Sequence, residues 1–299
     1  MKKSRLSLGI ALYAVLAAAP VFAADVPSVA SLAVPSDAAS APPDAAAVPS
    51  GAAAVPPDAA ASTQSNSGST ATLQGGVEHS VTVAPVPLAL MQGAKFDENA
   101  LPKLTPGNVW YQIPTWLAGT WQFKTETVTD MYVYDQTKYP PTPFTLQNEF
   151  QRTIGYQKDK KGQIWDYIKA PFSYTAKVGR GLVSYINESS ILVIRSNDGE
   201  VVRRLTGQDA VVDPDTQEIL LSNQKECFIR YTPAGDDGVR VDGSTKIFDM
   251  NGKAKVLKLS NLMAVKLKDF QSVDEKDGQN LKEMFAQFLK SQGKADLVP

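Results

Sequence analysis

Residues 116–133 read WLAGTWQFKTETVTDMYV, and this stretch decides the fold. From Trp121 onward the residues alternate with a period of two, which is typical of a β-strand with one buried face. One side carries Trp121, Phe123, Thr125, Thr127, Thr129, Met131 and Val133, and the other carries Gln122, Lys124, Glu126 and Asp130. We therefore predict a long, half-buried strand on which Glu126 faces solvent.

Further strand-like runs follow at short intervals. We predict a second strand through about residues 144–157 and a third through 163–172, joined by a tight turn at 158–162. Later runs rich in Val, Ile, Leu, Tyr and Thr are separated by the turn sequences SNDG (196–199), DPDT (213–216), GDDG (235–238) and DMNG (249–252). This pattern predicts an all-β domain: about eight antiparallel strands in sequence order, closed into an up-and-down β-barrel that leaves no exposed edge.

The periodicity changes after Phe270. Five apolar residues then recur at helical spacing: Leu281, Met284, Phe285, Phe288 and Leu289. Asp274 or Asp277 could cap the start of this helix, and Gly293 could end it. We predict one C-terminal amphipathic helix packed on the barrel. A helix that binds a partner protein is the alternative, but such an apolar face normally packs against its own core first.

The chain upstream of residue 93 has a different character. Lys2, Lys3 and Arg5 precede an apolar stretch over residues 6–19, and small residues occupy the cleavage positions before Ala24. We predict an export signal over residues 1–23, cleaved near Ala23, and a periplasmic location. The apolar stretch is short for a bilayer span and no later segment is long enough, so no stable membrane insertion is expected. An uncleaved signal anchor is the alternative.

Ala, Pro, Ser and Asp dominate residues 24–92, and the sequence PPDAAA occurs at 42–47 and again at 56–61. This segment has no aromatic residue to bury, so it cannot offset the entropy lost on ordering. We predict a disordered tether over residues 24–92 and a folded domain over 93–299. A neutral spacer is as consistent with this composition as a specific binding role.

The charge of the predicted domain is nearly balanced. Residues 101–299 hold 26 Lys and Arg against 24 Asp and Glu. No basic run lies beside an aromatic platform, so we expect no nucleic-acid partner. Several lysines concentrate on one predicted strand pair, and a solvated outer face is the expected reason; they are Lys253, Lys255, Lys258, Lys266 and Lys268.

Catalytic chemistry finds little support in the composition. Cys227 is the only cysteine, so no intramolecular disulfide can form, and its strand-like context predicts a buried, inert thiol. His79 is the only histidine and lies in the predicted tether, which argues against a His-centred triad or metal site in the domain. We therefore expect a non-enzymatic protein without metal or cofactor. An enzyme that uses paired carboxylates is the third hypothesis.

Two short motifs have ordinary explanations. Residues 213–218 partly match a calcium loop but lack its glycine, so a hairpin turn is predicted instead. Ser222 and Lys225 have the Ser-x-x-Lys spacing of some serine acyl-enzymes, yet they lie in a strand pattern. Residues three apart on a strand point to opposite faces.

Gly119-Thr120-Trp121, preceded by the apolar residues 113–117, resembles the Gly-x-Trp opening of lipocalins. The order of parts is similar too, with a short helical turn, an eight-stranded barrel and a final helix. The resemblance could extend over residues 110–290. It implies structural roles for Gly119 and Trp121 at the closed end of the barrel. It also implies an arginine stacked on the tryptophan, for which Arg230 and Arg240 are the candidates.

Aromatic residues suggest a function for such a barrel. An eight-stranded barrel can enclose one small apolar ligand, or its interior can be filled by side chains. We expect a small hydrophobic molecule in contact with Phe123, Met131, Trp165 and Tyr167, with ordinary core packing of these residues as the alternative. The second functional hypothesis is a cell-envelope assembly or secretion-system component that docks onto other proteins. A filled barrel with an apolar outer patch would favour it.

Overall fold

The computed structural model describes residues 78–101, 107–134, 143–170, 172–178 and 181–299. The predicted export signal and most of the predicted tether lie outside these residues. The strands and the helix are β1 (Gly107–Ile113), β2 (Gly119–Val133), β3 (Phe144–Ile154), β4 (Gln157–Lys158), β5 (Ile164–Ala170), β6 (Phe172–Val178), β7 (Leu182–Ser196), β8 (Val201–Val212), β9 (Ile219–Pro233), β10 (Gly238–Asp249), β11 (Ala254–Asp269), β12 (Glu275–Lys276), β13 (Gln279–Asn280) and α1 (Leu281–Ser291).

The main sheet contains eight antiparallel strands in the order β3-β2-β11-β10-β9-β8-β7-β6. The last long strand, β11, therefore pairs with the first long strand, β2, as in an up-and-down barrel. The sheet curls into a half-barrel, and β3 and β6 are its two edges within the described residues. The predicted all-β class, with about eight antiparallel strands and one C-terminal helix, is confirmed.

The predicted side assignment along β2 is wrong in the middle of the strand. The register of β2 shifts against β3 between Phe123 and Thr125, and against β11 near Thr129. Each shift is a β-bulge that turns the following residues to the other face. Glu126 and Val128 are consequently 0% exposed, although Glu126 was predicted to face solvent. A strict period of two cannot reveal a bulge.

A second, smaller sheet occupies one end of the concave face. This plug sheet has the order β1-β5-β4, so the predicted third strand leaves the barrel sheet. Ile164 and Ile168 of β5 pack with Phe123, Ile191 and other residues of the half-barrel in one apolar cluster. Buried apolar side chains of this size each contribute about 1.5–3 kcal/mol. One end of the half-barrel is therefore filled by side chains.

A buried polar network joins the plug sheet to the wall of the half-barrel. The Tyr111 hydroxyl donates to Asp166 Oδ2 at 2.7 Å, and Arg203 lies 3.9 Å from the same oxygen. Arg203 also donates to the Tyr231 hydroxyl. Burial opposes the charge of Arg203, but Tyr111, Tyr231 and Asp166 together raise its pKa. The network fixes the plug sheet in one position because a misplaced sheet would leave these groups unpaired.

Trp121 closes the filled end. Its indole Nε1 donates to the Leu117 carbonyl at 2.8 Å, from the 3-10 turn Thr115–Leu117. Lys266 of β11 lies 5.2 Å from the centre of the ring. Arg230 and Arg240, the two candidates for a stacked arginine, instead bond Glu200 and Asp242. The cation over Trp121 is therefore a lysine from the last strand.

Helix α1 packs on the opposite side of the plug sheet. Leu281, Phe285 and Leu289 are fully buried, in a cluster with aromatic residues of β1 and β5. Asn280 caps the helix by accepting from the Glu283 amide at 2.9 Å, so the predicted caps Asp274 and Asp277 are wrong. Gly293 follows the helix with a φ of 69°. The predicted intramolecular packing of this helix is confirmed.

All five predicted turns connect consecutive strands, and four of them share one device. A side-chain oxygen of the first or second turn residue accepts from backbone amides two to four positions later, which is an Asx turn. Asp159, Asn197, Asp213 and Asp249 supply these oxygens. The Asp213 carboxylate is thus occupied by the turn, in agreement with the predicted hairpin.

Residues 78–101 lie along the convex face, and we call them the N-terminal strap. The Val83 amide donates to the Gly252 carbonyl at 3.1 Å and the Val86 amide to the Met250 carbonyl at 2.9 Å. Leu90 is fully buried beside Val212 and Ile219. Residues 78–92, which the composition assigned to the tether, therefore pack against the sheet.

Gly119 should tolerate no side chain. Its φ is 141°, and an added Cβ would lie 2.5 Å from the Lys268 carbonyl oxygen of the neighbouring strand. We expect Gly119→Ala to lower the free energy of unfolding by about 3 kcal/mol or more. Gly162→Ala is the control, because Gly162 also has positive φ but open space around it. It should cost only the backbone strain of about 1–2 kcal/mol. Equal losses in denaturant unfolding would show that the contact with β11 is unimportant.

Candidate functional site

The four residues predicted to contact a ligand do not form one site. Phe123 lies in the apolar cluster under the plug sheet and stacks on Phe150 with ring centres 4.8 Å apart. Met131 belongs to a separate cluster at the other end of the half-barrel. Trp165 and Tyr167 point away from the half-barrel and pack in the cluster of helix α1. Only Trp165 and Tyr167 are brought together.

Between the two apolar clusters, the concave face is polar. Side chains from six neighbouring strands meet there, and we call them the polar band: Glu126 on β2, Glu188 on β7, Asp209 on β8, Asn223 and Lys225 on β9, Thr245 on β10, and Lys258 and Ser260 on β11. The strand registers place them on one face. Glu188 is opposite Gly207, which is opposite Lys225, and Asp209 is opposite Asn223. Lys258 is opposite Thr245, whose other neighbour is Cys227.

Two ion pairs lie within the polar band. Lys258 Nζ is 3.1 Å from Glu126 Oε1, and Lys225 Nζ is 2.7 Å from Glu188 Oε1. Lys225 Nζ is also 3.3 Å from Asp209 Oδ1. Burial lowers the pKa of Lys225, but Asp209 and Glu188 more than compensate and raise it. Burial raises the pKa of Glu188, and Lys225 only partly opposes this. The band therefore holds charges that its own ion pairs do not fully stabilise.

Three buried polar atoms of the band have neither a hydrogen bond nor an ion pair within the described residues. They are Glu188 Oε2, Asn223 Nδ2 and Ser260 Oγ. Their residues are between 4% and 6% exposed. Each buried polar atom without a partner costs about 1–3 kcal/mol. Native structures rarely retain several such atoms in one place unless water or a ligand satisfies them.

Sequence patterns missed most of this site. The β2 bulges hide the inward direction of Glu126, and Lys258 was predicted to lie on a solvated face but is 2% exposed. The prediction for Ser222 and Lys225 is confirmed, since Lys225 joins the band while Ser222 lies near Gln208 on the other face. Cys227 is buried as predicted, and burial raises the pKa of its thiol to about 12.

A second polar arrangement lies on the convex face. His79 Nδ1 is 2.9 Å from Glu226 Oε2, and His79 Nε2 is 2.7 Å from Ser244 Oγ. We call these three residues the anchor triad. The prediction that His79 belongs to a tether, outside any triad, is wrong: the strap carries it onto the sheet. Large apolar residues are denser in residues 78–92 than in 24–77, and this difference is the signal that could have identified the packed end of the segment.

The anchor triad has the connectivity of a Ser-His-Glu catalytic triad, but its surroundings fit an anchor. Ser244 is 0% exposed, and its strand is paired on both sides, with Phe228 and Leu259 as its neighbours. The ladder thus occupies the backbone groups around the hydroxyl. His79 belongs to the segment that covers Ser244, so uncovering the serine would remove its base. Ser80 extends the anchor, because its amide donates to Glu226 at 2.7 Å.

Other kinds of site have no support in the described residues. No group of three or more His, Cys, Asp or Glu side chains there is arranged to hold a metal ion. No helix in the same residues is long and apolar enough to cross a membrane. Comparison with protein-family models, with curated proteins and with solved structures finds no match to this chain. The site must therefore be interpreted from its own chemistry.

The anchor triad should hold the first part of the strap. We expect His79→Ala and Ser244→Ala each to speed hydrogen exchange at the Val83 and Val86 amides, because their hydrogen bonds to β-turn carbonyls depend on this anchor. The Phe96 amide, which donates to the Gln217 carbonyl at 2.7 Å further along the strap, is the internal control and should keep its protection. Unchanged exchange at Val83 in both variants would contradict the anchoring role.

Glu226 should make the protein sensitive to acid. Burial disfavours its charge, but hydrogen bonds from His79 and Ser80 and the nearby Arg204 lower its pKa from 4.5 to about 2. A lowered pKa stabilises the folded state above the unfolded value, and this stabilisation is lost as pH falls from 4.5 towards 2. Glu226→Gln should flatten the pH dependence of the unfolding free energy in that window. Glu275→Gln, at an exposed site, should leave it unchanged.

Proposed function

We propose that this protein is a non-enzymatic binding protein of the cell envelope, which holds a small polar molecule against the polar band of its half-barrel. The observation that carries this proposal is the group of three buried polar atoms without partners in the described residues, Glu188 Oε2, Asn223 Nδ2 and Ser260 Oγ, on one concave surface. A bound molecule would satisfy donors and acceptors that the protein leaves unpaired. Ordered water is the competing occupant, and the experiment below separates the two.

The shape of the concave face supports the same proposal. Ligand sites are concave and are largely formed before binding. The plug sheet fills one end of the half-barrel, and the apolar cluster of Val128, Met131, Val133, Ile247 and Val256 lies at the other. The polar band lies between them on strands, which hold side chains in place more rigidly than loops do.

The polarity of this surface favours a different ligand from the hydrophobic molecule expected from the sequence. An apolar ligand on the polar band would leave Glu188 Oε2 and Asn223 Nδ2 without a partner, which is unfavourable. Phe123 and Met131 are already packed in clusters of their own. A polar ligand would lower the free energy of the band, and an apolar one would raise it.

Binding without catalysis is proposed because neither the cysteine beside the band nor the histidine of the chain provides an activated nucleophile or base there. Cys227, beside the band, has a thiol whose pKa burial raises to about 12, so thiolate is scarce at neutral pH. The only histidine of the chain is on the convex face. Export to the periplasm is proposed from the N-terminal signal pattern, with residues 24–77 as a tether.

One observation favours a second function, docking onto another envelope protein. Met263, Val265 and Leu267 alternate along β11 and face outward, with exposed fractions of 52%, 57% and 45%. Three large apolar side chains in one row on a sheet surface are unusual without a partner. This outer stripe lies on the opposite face of β11 from Lys258 and Ser260, so the two functions could coexist.

Native mass spectrometry of the mature protein, purified from its host's periplasm, tests the main proposal. We expect one added mass per chain that is lost on denaturation. Ser260→Ala should weaken or abolish it, because Ser260 Oγ belongs to the polar band. Ser222→Ala is the matched control, since Ser222 is an equally buried strand serine on the convex face. A bare protein mass in wild type and both variants, with equal thermal stability, would reject the proposal and leave docking as the remaining function.

A further inference from the structure

We infer that the molecule bound by the polar band is a small organic monocation that carries a hydroxyl or carbonyl oxygen close to its ammonium group. This inference rests on the proposed function and names the chemical class of its ligand. It follows from the charge balance of the band, from the unpaired Oε2 atom of Glu188 and from the unpaired amide donor of Asn223.

The charge balance of the band leaves one acid in excess. Three carboxylates, of Glu126, Glu188 and Asp209, face two ammonium groups, of Lys225 and Lys258. Glu126 pairs with Lys258 and Glu188 with Lys225 at close distances, whereas Asp209 shares Lys225 at 3.3 Å. A buried charge without its own partner is costly. One positive charge supplied by a ligand would neutralise the band.

The carboxylates of Glu188 and Asp209 are close to each other. Glu188 and Asp209 both contact the Nζ atom of Lys225, through Glu188 Oε1 and Asp209 Oδ1. The other Glu188 oxygen, Oε2, has no hydrogen-bond partner in the described chain. Oε2 lies against Gly207, where an added Cβ would be only 2.8 Å away from it. Ionised carboxylates only accept hydrogen bonds, so the ligand group at this point must donate.

Asn223 is the reason why the ligand needs an oxygen atom. Its Nδ2 atom donates and has no acceptor in the described chain. Asn223 is directly opposite Asp209 in the β8–β9 ladder, and opposed side chains on one face are about 5 Å apart at Cβ. The ligand therefore needs an acceptor within a few atoms of its cationic donor. An amino alcohol has this arrangement, with one ammonium group and one oxygen two carbons away.

A metal ion fits this surface less well than an organic cation. The unpaired atoms include an amide donor, and a metal ion cannot accept from N–H. Lys225 already occupies the space between the two carboxylates that a metal would need. The described residues also lack a group of three or more metal-ligating side chains.

Thermal unfolding of the mature protein with three probes of similar size tests this inference. The probes are ethanolamine, which has an ammonium group and a hydroxyl, ethylene glycol, which is neutral, and glycolate, which is an anion. We expect ethanolamine alone to raise the melting temperature in a concentration-dependent way. Asp209→Asn should abolish that rise. Asp242→Asn, which changes an ion-paired acid on the convex face, should preserve it.

The same variants give a readout that needs no ligand. With the excess charge removed, Asp209→Asn should have a higher melting temperature than wild type in the absence of probe. A lower value would show that Asp209 is well paired, and this would overturn the inference. Asp242→Asn should change the melting temperature little, because exposed ion pairs contribute little to stability.

The outcomes separate this inference from the proposed function. If ethylene glycol or glycolate stabilises the wild type but not Ser260→Ala, while ethanolamine has no effect, the polar band binds a ligand of another class. If no probe changes the melting temperature, the charge of the molecule found by native mass spectrometry decides whether the inference holds. A cation supports the inference, and a neutral or anionic molecule overturns it. If no molecule is extracted and no probe acts on any variant, both proposals fail.

Discussion

The pairing of β11 with β2 is the constraint on which the rest of the structure depends. It joins the last long strand of the chain to the first, across the whole length of both, and three register shifts interrupt it. These shifts let a single strand supply Trp121 and Phe123 to the filled end, Glu126 to the polar band and Met131 to the far apolar cluster. A regular ladder would have turned either Phe123 or Glu126 to the convex face.

The concave face is divided by polarity, and the division has a physical cause. The plug sheet can fill only part of the half-barrel, because its seven-residue strands β1 and β5 face main strands of up to sixteen residues. Where the plug sheet lies, the wall is apolar, apart from the network around Arg203 that fixes its position. Beyond it the wall becomes polar, and Glu188 Oε2, Asn223 Nδ2 and Ser260 Oγ have no partner in the described residues. The chain thus fills one end of the half-barrel with its own side chains, and the polar band is where we propose that a ligand binds.

On the convex face, several polar groups bond to the strap. Glu226, Ser244 and Lys246 all bond to residues 79 and 80 of the strap. Further along, Leu90 fills an apolar site beside Val212 and Ile219. The strap therefore attaches the start of the described chain to β8, β9 and β10, the strands that also carry Asp209, Asn223, Lys225 and Thr245 on the other face. Firm attachment of the strap helps to keep those strands in a fixed arrangement.

The sequence by itself determined the strand class, the turns and the final helix. Each depends on short-range chemistry: Asp and Asn oxygens that close turns, the Gly-x-Trp start of β2, and five apolar residues at helical spacing. It also determined that Cys227 is buried and that Ser222 and Lys225 lie on opposite faces. Only the tertiary structure decided that the third predicted strand joins the plug sheet, that Glu126 and Lys258 face inward, and that His79 reaches Ser244 over a separation of 165 residues. Bulges and long-range pairing set these positions, and neither leaves a periodic mark in the sequence. The candidate site was therefore hidden, because its residues come from six strands that only the assembled sheet brings to one face.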